Sequence, residues 1–120
     1  MSIAINKCTY GGRLTRDPEI RSITGDRQVA SFSLAINRRW TDSAGNRREA
    51  TTYIDAEAWG QLATTLQRYV KKGDQLIIEG RTDVDDYESA DGIKRRRSKC
   101  TCSAIHLLPQ GQPSQQGGQP

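Results

Sequence analysis

The chain has 120 residues, with 18 Lys+Arg against 14 Asp+Glu for a net charge of +4, and 34% of it is hydrophobic. That length supports a single domain with a modest core, which can fold without disulfides or a structural metal. No apolar run approaches the ~20 residues of a membrane helix, and Met1 to Lys7 lacks the charged and then apolar order of a secretory signal, so a cytoplasmic chain is expected.

The leading segment, Asn6 to Leu14, reads as a strand interrupted at Gly11-Gly12. Val29 to Asn37 alternates, with Ala30, Phe32, Leu34 and Ile36 on one face and Ser31, Ser33 and Asn37 on the other, the period of a half-buried strand. Asp42-Ser43-Ala44-Gly45-Asn46 is dense in turn formers and flanked by Arg38-Arg39 and Arg47-Arg48, which predicts an exposed, basic hairpin loop. Ala50 to Trp59 alternates too: Thr52, Ile54, Ala56 and Ala58 oppose Tyr53, Asp55, Glu57 and Trp59. After Gly60, residues Leu62, Ala63, Leu66, Tyr69 and Val70 keep helical spacing, and Lys71-Lys72-Gly73 supplies cations and a glycine cap. Gln75 to Gly80 with Thr82 and Val84 forms the next expected strand, Ala90-Asp91-Gly92 a turn, and Arg97 to Leu108 the last strand.

Three strands, a short helix and two more strands suit a closed five-stranded Greek-key barrel, the OB-fold, better than a many-stranded sandwich. The fold class is therefore all-β, with one short helix between strands 3 and 4, over residues 1–108. From Pro109 to Pro120 only Pro, Gln, Gly and Ser occur, a mixture that buries nothing, so residues 109–120 are expected to be a disordered, linker-like tail.

Catalytic chemistry finds little footing. His106 is the lone histidine and reads as structural, and no Ser or Cys has a nucleophile setting. Cys8, Cys100 and Cys102, an odd number without CxxC spacing, read as reduced core thiols rather than metal ligands. The acidic run Asp83, Asp85, Asp86, Glu88 and Asp91 reads as a solvated hairpin, since Tyr87 stands where a calcium loop needs oxygen. No phosphate-cradling Gly-rich loop precedes a Lys-Ser or Lys-Thr, and no cofactor or metal is implied.

Aromatics beside cations carry more information. Trp40 follows Arg38-Arg39, Tyr53 and Trp59 share a face with two acids, and Tyr87 lies in a polar hairpin. Such rings are stacking platforms for unpaired bases, while nearby Arg and Lys neutralise phosphates. The predicted nucleic-acid contacts are Trp40, Tyr53, Trp59 and Tyr87 with Lys7, Arg38, Arg39, Arg47, Arg48, Lys72, Arg95, Arg96 and Arg97. The plainer readings are that Trp59 caps the barrel bottom, Tyr53 makes cross-strand contacts, and several cations are merely solvated.

Asn6-Lys7, Gly12-Arg13-Leu14-Thr15-Arg16-Asp17-Pro18-Glu19 and Val29-Ala30-Ser31-Phe32-Ser33-Leu34-Ala35 together resemble the opening of bacterial single-stranded DNA-binding proteins. The similarity continues through Trp40, Tyr53, Ala58-Trp59-Gly60 and Tyr69-Val70-Lys71-Lys72-Gly73-Asp74 to Ile78-Glu79-Gly80. The resemblance implies an OB-fold that binds single-stranded DNA without sequence preference in replication, recombination and repair, as a homotetramer associated with the nucleoid. It also implies that Trp40, Tyr53, Trp59 and Tyr87 stack and that Lys7 and Lys72 meet phosphates. Two departures stand out. The hairpin from Asp83 to Glu88 is acidic where the family is often basic, and the family's acidic tip, which recruits replication and repair proteins, is absent, as in a truncated chain or one without that role. The alternatives are an OB-fold accessory protein for primosome assembly or RNA binding, and a module for protein interaction only.

Overall fold

The computed structural model describes residues 2–23, 25 and 27–109; the predicted tail beyond Pro109 lies outside them. In chain order the elements are β1 (Cys8–Leu14), β2 (Glu19–Ser22), β3 (Gln28–Thr41), β4 (Arg47–Trp59), α1 (Gln61–Tyr69), β5 (Gln75–Glu88) and β6 (Lys94–Leu107).

Two long antiparallel ribbons build the barrel. In one, β3 pairs β4 from Val29↔Trp59 out to Thr41↔Arg47, and in the other β5 pairs β6 from Leu76↔Leu107 out to Glu88↔Lys94. β1 joins them on one side, with Cys8↔Gly80 through Arg13↔Gln75 on β5 and Leu14↔Leu34 on β3. A short parallel pairing, Ala56↔Cys100 and Glu57↔Thr101, closes the other side. The result is the predicted OB-type barrel, and β3 and β4, β5 and β6 run past it as hairpin arms.

The alternation seen in the sequence faces the way it predicts. Ala30, Phe32 and Leu34 of β3 are buried, opposite Ala58, Ala56 and Ile54 of β4, and join Leu14, Leu76, Ile78 and Cys100 in one core. Ala63 and Leu66 of α1 are fully buried against it. Such a core supplies the main drive to fold, about 25 cal/mol for each Å² of apolar surface removed from water. Gly80 sits at the irregularity between Glu79 and Gly80 in the β5–β6 register, and a Cβ there would lie 2.0 Å from the Thr101 carbonyl oxygen. Only glycine lets the two strands approach this closely.

Several expectations need correction. A sixth strand, β2, pairs β3 through Glu19↔Ser31 and Ser22↔Gln28 and has no alternation to announce it, because Glu-Ile-Arg-Ser offers only Ile20. Tyr69 is 60% exposed rather than part of the buried helical stripe; it shares the margin of that stripe with Leu62, itself only half-buried. Gly73 does not cap α1: the helix ends at extended Val70, and Gly73, at φ 90°, turns the chain between Lys71 and Asp74. The hairpin arginines lie on the strands β3 and β4, and the loop itself holds none. Cys8 and Cys100, far apart in sequence, meet with their sulfurs 3.3 Å apart, both as free thiols. His106 pairs at the surface with Glu79, Nε2 to Oε2 at 2.6 Å.

Candidate nucleic-acid interface

Side-chain parity sorts the predicted residues onto two faces. Arg38 and Trp40 share one face of the β3–β4 arm with Arg48 across the ribbon. Tyr53, opposite Ala35, points to the other face.

At the arm's tip the turn is held by Asp42. Its carboxylate accepts from the Ala44 and Asn46 amides at 3.0 and 2.8 Å and from Arg48 Nε at 2.8 Å. Arg48 first, then the turn amides, hold that carboxyl below the usual range. This anchoring fixes the open cleft of about 450 Å³ bordered by Arg39, Trp40, Arg47 and Arg48. Trp40 is 37% exposed, and the Arg38 guanidinium lies 4.1 Å from its ring centroid. Arg39 stands 3.9 Å from Glu49. Arg47 makes no ion pair among the described residues.

Tyr53 is 67% exposed, and no core packing explains it. Along the same face lie Asp55 and Glu57 of β4, then Arg97 and Lys99 of β6, then Asp83, Asp85 and Tyr87 of β5, because the Ala56↔Cys100 pairing brings β4 beside β6. Arg97 donates to Asp55 and Lys99 to both Glu57 and Asp85. Thr101 and Arg81 hold Asp83, and its carboxyl is lowered, by Thr101 first. Tyr87 is 46% exposed opposite Arg95, at the tip of the β5–β6 arm, beside a cleft of about 520 Å³ that Lys94, Arg95 and Arg96 also border.

The remaining residues sit apart from these arms. Trp59 ends β4 opposite buried Val29, is half-buried, and has Arg27 5.2 Å above its ring. Lys7 directly precedes β1, next to Asn6, whose side chain brackets Thr82 of β5. Lys72 lies in the turn after α1, where its backbone amide donates to Asp17 at 2.7 Å.

Trp40, Tyr53 and Tyr87 are exposed, but most of the predicted cations are already paired. Arg39, Arg48, Arg95, Arg96 and Arg97 each face a carboxylate. The predicted contacts omit Lys99, which alternation from Arg95 and Arg97 places on the same face, and Arg27 at Trp59.

A closed barrel with two projecting hairpin arms that carry exposed rings and guanidinium groups places the chain in the OB-fold class of β-barrel proteins. The Single-strand binding protein family matches residues 5–108, and the chain belongs to that family. It is 36% identical over 111 residues to the single-stranded DNA-binding protein of Deinococcus radiodurans, covering 92% of this chain and 36% of that one. To the Helicobacter hepaticus protein of the same name it is 33% identical, covering 86% of this chain and 61% of the relative. To that of Neisseria meningitidis serogroup A it is also 33% identical, covering 98% and 67%. The chain thus spans from about a third to two thirds of the length of these relatives. Among solved structures, "Plasmodium falciparum SSB complex with ssDNA" superposes with a TM-score of 0.83 at 21% identity, covering 91% of this chain and 99% of that one, which establishes the shared fold.

Proposed function

We propose that this chain binds single-stranded DNA without sequence preference and protects it during replication, recombination and repair. The observation that carries the reading is the placement of Trp40, Tyr53 and Tyr87 outside the core, on arms where cations lie within reach. Each ring offers about 1–3 kcal/mol of stacking to any base, which suits binding that ignores sequence. Trp40 and Tyr53 face opposite ways on one ribbon, so a strand that uses both must pass around the ribbon's edge. Of the predicted cations, Lys7, Arg38, Arg47 and Lys72 make no ion pair among the described residues and are the most available to phosphate, whereas Arg39, Arg48, Arg95, Arg96 and Arg97 first have to leave a carboxylate. Trp59 contributes a ring edge, with Arg27 on one face.

The protein works as a homotetramer in the cytoplasm, on nucleoid DNA, and by binding rather than by catalysis. Along β1 only Arg13 and Leu14 pair with β3, so Cys8 to Gly12 leave an edge open to a second copy. Residues 1–108 make up the binding domain, and the tail from Pro109 adds no affinity. No described helix is long and apolar enough to cross a membrane.

The test is a tryptophan-fluorescence titration with poly(dT) over a salt series, with light scattering for mass. The logarithm of affinity should fall linearly with the logarithm of salt, with a slope near −0.7 per phosphate neutralised. Equal competition by RNA or duplex would favour the accessory-protein alternative, and unchanged fluorescence would favour a protein-interaction module.

A further inference from the structure

Between Tyr53 and Tyr87 the shared face is paired with itself. Both Nε and Nη2 of Arg97 reach one oxygen of Asp55 at 2.9 Å. Nζ of Lys99 lies 2.8 Å from Asp85 and 3.0 Å from Glu57, with the Lys99 and Glu57 side chains only 19% and 18% exposed. Asp85 first, then Glu57, hold the Lys99 ammonium charged beyond its usual range. These groups line a groove of about 270 Å³, which Arg16, Glu19 and Arg21 line as well. With Asp83 held by Arg81, four carboxylates meet three cations on this stretch.

We propose that Asp55 and Asp85 occupy the positions on this face that DNA phosphates would otherwise take, so that Arg97 and Lys99 offer the strand path no unpaired positive charge. This rests on the single-stranded DNA reading and deepens it. A phosphate arriving at Arg97 finds the guanidinium fork filled, and one arriving at Lys99 meets two carboxylates within hydrogen-bond distance. Carboxylate and phosphate are alternative partners for the same donors, so the arriving anion must displace the resident one. The strand crosses this face held by the rings at either end, while the salt-sensitive share of binding sits at the Arg47 tip and on the other cations without carboxylate partners. A segment whose Arg97 and Lys99 are already paired is one a competing strand or protein can lift without breaking an ion pair to either.

The experiment compares the whole chain with Asp55→Asn, Asp85→Asn and Glu79→Gln, titrating poly(dT) over a salt series and normalising to folded protein by thermal melts. Glu79→Gln removes the same unit of charge beside His106, further down β5, and frees neither Arg97 nor Lys99. Asp55→Asn should tighten binding and steepen the salt slope by about 0.7 per phosphate gained, which amounts to about fivefold more affinity change than wild type over a tenfold change in salt, and Asp85→Asn, which leaves Lys99 with Glu57, should shift both in the same direction by less. Glu79→Gln should leave the slope as it is. If all three variants shift alike, the effect is net charge at a distance and the inference fails; if the slopes of the two aspartate variants stay at the wild-type value, the phosphate positions are not there and it fails as well. Absence of any poly(dT) binding by the wild-type chain is a separate result, which overturns the DNA reading itself.

Discussion

The Arg38 guanidinium lies 4.1 Å from the centroid of the Trp40 indole, two positions away on the same face of β3. One face of the ring is therefore backed by a cation, which orients the indole, and in the proposed function the other face takes a base. Trp40→Ala should weaken binding by about 1–3 kcal/mol while the melting temperature barely moves. Arg38→Ala should weaken it by less and flatten the salt slope. A large drop in melting temperature for Trp40→Ala, with affinity per folded molecule preserved, would show the ring to be a packing element.

Asp42 organises the turn that carries Trp40 on its flank. Asp42→Ala removes the acceptor for the Ala44 and Asn46 amides as well as the partner of Arg48, whereas Asp42→Asn can keep the amide contacts. Hydrogen exchange at Ala44 and Asn46 should accelerate strongly in the alanine variant and less in the asparagine one. The lowered Asp42 carboxyl fixes the sign with pH: its contribution is present above the usual 3.8 and lost as pH falls through the lower folded value.

Gly80→Ala should be among the most damaging single substitutions, because the new methyl would meet the Thr101 carbonyl at 2.0 Å, a backbone atom that cannot swing aside as a flexible side chain could. Overpacking of this kind costs about 1–3 kcal/mol or more. Denaturant unfolding measures it, and a wild-type midpoint for Gly80→Ala would mean β5 and β6 can part at the bulge.

Burial pushes the Cys102 thiol up to about 12 from the usual 9.0, and burial raises Cys100 as well. Between those pH values the unfolded chain loses the proton that the folded chain keeps, so this group's contribution declines as pH rises from 9.0 to about 12. The stability gap between wild type and Cys102→Ala should shrink across that window in denaturant titrations. Iodoacetamide at mildly alkaline pH should label half-buried Cys8 before Cys102.

A chain ending at Leu108 should fold, assemble and bind an oligonucleotide like the full sequence, since the residues after it include no cation and no aromatic. Parallel titrations at fixed salt check this. A loss above tenfold, about 1.4 kcal/mol, would make the tail a binding element.

The sequence by itself determined the elements whose cause is local. The two-residue period of Val29 to Asn37 put Phe32 and Leu34 in the core, the turn formers at Asp42 to Asn46 set the hairpin, and Trp40, Tyr53 and Tyr87 stood out because their neighbours were polar. Even the stacking of Arg38 on Trp40 follows from two positions of one strand. Tertiary structure decided which charges cancel between distant strands. Asp55 and Arg97 are 42 residues apart and meet because the Ala56↔Cys100 pairing lays β4 beside β6; Cys8 and Cys100 are 92 apart and meet because β1 and β6 both pair with β5 around Gly80. Strand period is a short-range steric property that any window of residues displays, whereas the neutralisation of a cation depends on register between distant strands. That register is set when the whole core packs and the barrel closes.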